Sequence, residues 1–142
     1  MASKIFIDAN VLLDFTLKRA AYAYAREILA LVVDGQVQGF ITPSIVHLVG
    51  YWLTKAYGAT KAKELLLTLL VDIHVIDIPH HVTLTALHSK INDIEVALQY
   101  YSAIYHKLDC FISLDKQFQK AGIPGLPIYT PKEFINEFGY KK

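Results

Sequence analysis

Residues 4–15 read KIFIDANVLLDF. The β-branched and aromatic run Ile5-Phe6-Ile7 has the pattern of a short buried strand. It runs straight into Asp8, with Asn10 and Asp14 a few residues beyond. An acid at the end of a buried strand has two readings. It caps the ANVLLDF turn that follows, or it is one ligand of a metal site built at the tip of a parallel sheet.

The rest of the chain decides what kind of sheet that strand joins. AAYAYAREILALVVDG (residues 20–35) carries apolar residues at helical spacing and stops at Gly35, a common helix terminator. GFITP (39–43) reads as a second strand, followed by a helix over 44–58 that Ser44 caps and Gly58 ends. TKAKELLLTLLV (60–71) is a further helix with Thr60 as its cap, and IHVIDIP (73–79) is a third strand ending at Pro79. Helices are expected over 80–90 and 93–107, then a buried strand in DCFISLD (109–115) and a short helix over KQFQKAG (116–122). LPIYT (126–130) is the last strand, and Pro131 opens a terminal helix at the position where its missing N–H costs nothing.

Strands alternating with helices predict an α/β fold: a three-layer sandwich around a mostly parallel central sheet of about five short strands. The strands are continuous apolar runs, as burial on both faces requires. The length of 142 residues suits a single domain over 1–142. In such sheets ligands bind beyond the carboxyl ends of the strands, where both Asp8 and Asp115 fall.

Composition narrows the function classes. A hydrophobic fraction of 54% with 19% charged residues describes a chain with a large core rather than a disordered one. Fourteen Lys and Arg against thirteen Asp and Glu give a net charge of +1, so no global positive field advertises nucleic acid, although a local basic groove remains open. The single cysteine, Cys110, sits in an apolar run and reads as a small core residue. No uncharged apolar stretch of about 18 residues is present, and MASK leads directly into a strand without room for a signal peptide. The expectation is a soluble cytoplasmic protein with no membrane partner.

Four carboxylates stand out as candidates for chemistry: Asp8, Asp93, Glu95 and Asp115. Each also has a structural reading. Asp93 and Asp115 precede helices and suit N-caps, Asp8 suits a cap of the ANVLLDF turn, and Glu95 suits the positive end of the helix dipole. Asp14 is expected to support the loop or face solvent. Converging from different segments, two or three such acids hold a hard cation, which activates water and neutralises charge on a phosphodiester.

In their order along the chain, these residues resemble the PIN-domain family, the metal-dependent ribonuclease fold of bacterial VapC-type toxins. FIDANVLLD is similar to the family opening, GFITPSIVHLVGYWLTKAYG to its second strand and following helix, and NDIEVALQYYSAIYHKLDCFISLDKQF to its later half. The resemblance implies that Asp8 and Asp115 bind Mg²⁺ or Mn²⁺, with Asn10 and Ser113 as supporting polar groups. It further implies RNA as substrate, an antitoxin protein as partner, and a homodimer. Two positions depart from the family pattern: Leu48 and Val96 stand where acids are expected. Asp93 lies three residues before Val96 on one helix face and is the better-placed replacement; Glu95 points elsewhere but has the longer reach. The site then comprises Asp8, Asp93 and Asp115, with Glu95 as a less favoured ligand.

Two functions follow from this reading. One is a PIN-type endoribonuclease, the toxin of a toxin–antitoxin pair. The alternative is a catalytically impaired PIN-fold module that binds RNA or a protein partner without cleaving. A receiver-like domain also places an Asp after strand one, but it expects a Lys where CFISLD supplies Asp115. The six histidines offer no metal spacing, and no phosphate-binding glycine loop occurs. The aromatics of GYWLTKAY and QYYSAIYHK suit core or dimer contacts better than base stacking. Lys18 and Arg19, close after Asp8, are the leading candidates for phosphate contact.

Overall fold

The computed structural model describes residues 2–120 and 125–138. Five strands form one sheet: β1 (Ser3–Ile7), β2 (Val37–Ile41), β3 (Ile73–Val75), β4 (Cys110–Ile112) and β5 (Ile128–Tyr129). All pair in parallel, in the spatial order β3-β2-β1-β4-β5. Ile5 is level with Gly39 of β2 on one side and Cys110 of β4 on the other. The expected α/β architecture and parallel sheet are what the chain adopts.

Strand order dictates where the helices lie. The chain moves outward from β1 to β3, then returns past β1 to β4 and β5. Right-handed crossovers therefore put the two sets of connections on opposite faces. Helices α1 (Ala9–Thr16), α2 (Tyr22–Val33), α3 (Pro43–Tyr57) and α4 (Ala59–Leu69) belong to the first set. Helices α5 (His80–His88), α6 (Ile94–Tyr105) and α7 (Lys116–Lys120) belong to the second, and α8 (Pro131–Phe138) returns to pack on α2.

Alternation along β1 serves both layers. Ile5, Phe6 and Ile7 are all fully buried. Phe6 stacks on Phe111 at 4.6 Å between ring centroids, and Tyr100 of α6 and Phe118 of α7 pack on Phe111 from the same side. Ile7 faces the other way, toward α2. A Cβ on Gly39 would lie 3.1 Å from Ile7 Cδ1 and 3.3 Å from Val32 Cγ2, so glycine at this position lets α2 approach the sheet. Burying each such large apolar side chain contributes roughly 1.5–3 kcal/mol.

Three local expectations are corrected. ANVLLDF is not a turn but the body of α1, whose apolar Val11, Leu12 and Leu13 are buried. Helix α3 starts two residues before the position expected for a Ser44 cap: Thr42 occupies the cap position and Pro43 the first turn, while Ser44 Oγ bonds Thr42 Oγ1 at 2.8 Å. Thr60 does not cap α4, because Gly58, at φ +87°, ends α3 and begins α4 in a single residue. The short helix expected over 116–122 is present as α7 to Lys120, and residues 121 and 122 lie outside the described residues. Cys110 is buried in the core, which pushes its thiol up to about 12, the neighbouring Asp109 charge adding to the effect. Among the described residues no helix is long and apolar enough to cross a membrane.

Candidate functional site

The order β3-β2-β1-β4-β5 reverses direction between β1 and β4. At that point adjacent connections leave toward opposite faces and open a crevice beyond the strand ends. Asp8 follows β1 directly, and Ser113 and Asp115 follow β4. The backbone N–H of Asp8 donates to Ile112 O at 3.1 Å, which fixes the two strand ends side by side. From α6, Asp93, Glu95, Val96 and Gln99 reach the same place. With Asn10, Leu48, Phe111 and Phe118 they enclose a cavity of about 190 Å³.

The polar groups on its floor are linked. Asp8 caps α1, its Oδ1 accepting from Ala9 N at 2.7 Å. Its Oδ2 faces Ser113 Oγ at 3.4 Å, and that hydroxyl accepts from Asp115 N at 3.1 Å. One buried serine thus links the Asp8 carboxylate to the backbone of Asp115. Burial pushes the Asp8 carboxyl up to about 6; the Ala9 and Ser113 hydrogen bonds oppose that shift, and the charges of Glu95 and Asp115 add to it. The Asp8 carboxyl therefore feels the carboxylates of two other segments.

The residues expected at the site are brought together, but not on equal terms. Asp93 is the N-cap of α6, exposed, with Oδ1 accepting from Val96 N at 3.1 Å. Asp115 Oδ1 accepts from Phe118 N at 3.1 Å at the head of α7. The capping readings of Asp8, Asp93 and Asp115 and their place on one cavity hold at once. Between the two acids of α6, Glu95 is the one whose charge acts on Asp8. Leu48 and Val96 both line the cavity, so apolar surface occupies the positions where the family pattern expects acids.

The basic candidates differ in kind. Lys18 is exposed, with a left-handed φ of +52°. Arg19 is pinned: its Nε donates to Asp14 Oδ1 at 2.7 Å, and its Nη2 lies 3.3 Å from both Asn10 O and Asn10 Oδ1. Asp14 is buried, with 5% of its surface exposed. Of its two expected roles, it takes the supporting one.

Two residues escaped the sequence reading. Lys90 lines an adjoining cavity that shares Asp93, Val96, Asp115 and Phe118 with the first. Gln99 is 2% exposed, and its Oε1 is buried without a hydrogen-bond partner among the described residues. Its position four residues after Glu95, on the same helix face, was the available signal. The absence of a partner is visible only in three dimensions.

Could these residues hold a divalent ion? Among the described residues no three carboxylates, imidazoles or thiols are placed to ligate one ion directly. The cavity is nonetheless lined by the carboxylates of Asp8, Asp93, Glu95 and Asp115, with the Ser113 hydroxyl and the amides of Asn10 and Gln99 beside them. That set fits a hard cation of the Mg²⁺ type, which needs only one or two carboxylates and keeps most of its water.

Comparison with known proteins accords with this geometry. No curated protein sequence matches the chain. Solved structures do: VapBC2 from Rickettsia felis, bound to a DNA fragment from its promoter, aligns at 14% identity and TM-score 0.64, covering 89% of this chain and 98% of that one. A toxin–antitoxin complex from Klebsiella pneumoniae aligns at 22% identity and TM-score 0.67, with 89% and 97% covered. VapC20 of Mycobacterium tuberculosis, a toxin that cleaves the sarcin–ricin loop, aligns at 13% identity and TM-score 0.66, with 85% and 97% covered. At these identities the likeness is one of fold. The sequence itself goes further: the family model described as PIN domain matches residues 4–117, from β1 through the acid that follows β4, and the chain belongs to the PIN-domain family.

Proposed function

We propose that residues 1–142 act as one PIN-type endoribonuclease unit, the toxin of a toxin–antitoxin pair, hydrolysing RNA phosphodiesters in the cytoplasm with Mg²⁺ or Mn²⁺. One observation carries the reading. Asp8, Glu95 and Asp115, from three segments, share one cavity at the β1/β4 reversal, where burial raises the Asp8 carboxyl and the charges of the other two add to the shift.

In this proposal Asp8 and Asp115, at the two strand ends, would hold the cation, with Glu95 and Asp93 of α6 as further ligands. When bound, the ion supplies an activated water and neutralises charge developing on the phosphate. Ser113 keeps the Asp8 and Asp115 segments in register, and Asn10, held by Arg19, shapes the rim. Arg19, which reaches Asn10, and Lys90, on the adjoining cavity, would supply positive charge for the RNA backbone, with Lys18 next to Arg19 in the chain. An antitoxin partner is supported by the Rickettsia and Klebsiella neighbours, whose structures are toxin–antitoxin assemblies. A homodimer is supported by exposed aromatic residues of α3 and α6, Tyr51, Trp52 and Tyr105.

A second reading has its own observation. Leu48 and Val96 make part of the cavity wall apolar, which favours a module that binds RNA or a protein without cleaving it. Calorimetric titration of Mn²⁺ into the protein and its Asp8→Asn variant separates the two. Saturable binding that the variant loses, followed by metal-dependent RNA cleavage, supports the enzyme. No binding at millimolar Mn²⁺ leaves the silent module.

A further inference from the structure

Two exposed aromatic rings of α3 stand together with a cation. Tyr51 and Trp52 are 49% and 45% exposed, and their rings meet edge-on with centroids 5.4 Å apart. The Lys55 ammonium lies over both, 4.9 Å from the Tyr51 centroid and 5.7 Å from the Trp52 centroid. Among the described residues it has no carboxylate partner. Leu48, which lines the acidic cavity, precedes Tyr51 and Trp52 by three and four residues, and Lys55 follows one turn later on the same helix face. Side chains on a helix lean toward its N-terminus, which brings the two rings over the turn that carries Leu48. The patch therefore adjoins the cavity along α3.

Charge on this side of α3 is positive. The neighbouring groove between α3 and α4 is lined by Tyr51 and Lys55 together with His47 and Lys63, and no acid among the described residues lines it. The acidic cavity, in contrast, carries four carboxylates, so a polyanion needs an anchor of opposite character beside it. A ligand for the patch must suit flat exposed rings and an ammonium at once. Single-stranded RNA offers both, because its bases stack on aromatic side chains and its backbone follows cations. We propose that Tyr51, Trp52 and Lys55 form a nucleotide subsite that stacks one base of single-stranded RNA and holds a phosphate beside the cavity. This rests on the ribonuclease reading above and deepens it. A second copy of the chain is the other occupant that exposed rings admit. A symmetric contact centred on this patch would bring Lys55 toward its own equivalent, which like charge disfavours.

The chain has one tryptophan, so tryptophan emission reports Trp52 alone. The test titrates the full chain with a short single-stranded oligoadenylate in EDTA, where metal-dependent cleavage is off. Binding should quench the Trp52 emission. By anisotropy of the labelled strand, Trp52→Leu should bind about tenfold more weakly, and Trp52→Phe, which keeps a ring, should retain most of the affinity. Lys55→Gln should lower the slope of log affinity against log salt by about 0.7, the loss of one phosphate contact on a single strand. Binding without quenching, with parent-like affinity in Trp52→Leu, overturns the subsite and leaves the RNA reading standing. A parent dimer that Trp52→Leu turns to monomer in sedimentation, with RNA affinity unchanged, overturns it too and gives the rings to a second copy. No binding at all also overturns the subsite, because stacking on exposed rings tolerates any base; the ribonuclease reading is then decided separately by the Mn²⁺ titration of the parent and Asp8→Asn.

Discussion

Arg19 and Asp14 form an ion pair of 2.7 Å in which the carboxylate is almost buried and the guanidinium is 42% exposed. The same guanidinium reaches Asn10 at the rim of the acidic cavity. It therefore joins the turn between α1 and α2 to the candidate site.

Removing that guanidinium strands a buried acceptor. Arg19→Met keeps the aliphatic stem and should cost about 1.5–3 kcal/mol, the range for hydrogen bonds to charged groups, read by urea denaturation at neutral pH. Arg19→Lys should recover little, because an ammonium cannot bond Asp14 and Asn10 with the geometry of a planar fork. A loss of RNA affinity with no loss of stability would show instead that Arg19 acts only at the nucleic acid.

The Asp8 carboxyl gives the metal-free protein a definite pH dependence. Its folded value of about 6 exceeds the ordinary 3.8, so the folded state binds the proton more tightly than the unfolded chain. Its contribution to stability is full below about pH 4 and is lost as pH rises through 6, a change of about 3 kcal/mol. Asp8→Asn removes that loss. In EDTA the variant should be the more stable protein at pH 7.5, with the gap closing toward pH 4. Urea denaturation of both proteins from pH 4 to 8 checks this, and a gap that does not vary with pH would refute it. Excess Mn²⁺ should reverse the ranking, because only the carboxylate attracts the ion.

Asp8 and β1 were legible because their signals are local: a β-branched run fixes the strand, and an acid at its end has few roles. Asp93 was legible as a cap for the same reason. Helix α1 was missed because ANVLLDF is short and sits between two polar groups, which makes a turn and a helix look alike in sequence. The start of α3 was misplaced because Ser44 is a good cap residue, whereas Pro43, preferred in the first turn, was the stronger marker and favours Thr42. Gln99 and the Arg19–Asp14 pair were out of reach for a different reason. Whether a polar side chain is paired depends on what other segments bring beside it, and no spacing along one helix records that.

Leu48 and Val96 test how far the cavity has departed from an all-acid site. Leu48→Glu with Val96→Asp adds two carboxylates to a lining that already holds four. Mn²⁺ affinity should rise tenfold or more, about 1.4 kcal/mol. Metal-free stability should fall, through repulsion and burial of the new charges. Calorimetry and denaturation in EDTA measure the two effects separately. Unchanged affinity would mean that these side chains do not face the ion.

The two acids of α6 are separable because one has a structural duty. Asp93 caps the helix through Val96 N, and Glu95 acts electrostatically on Asp8. Asp93→Ala should cost about 1 kcal/mol, and Asp93→Ser, another good cap, should restore most of it. If capping is the main work of Asp93, the serine variant binds Mn²⁺ within about threefold of the parent, under 0.7 kcal/mol. Glu95→Gln, neutral and nearly isosteric, should weaken binding by about tenfold while leaving the fold intact. The reverse ranking, with Asp93→Ser stable but unable to bind and Glu95→Gln unaffected, would make Asp93 the α6 ligand and give Glu95 only a helix-dipole role.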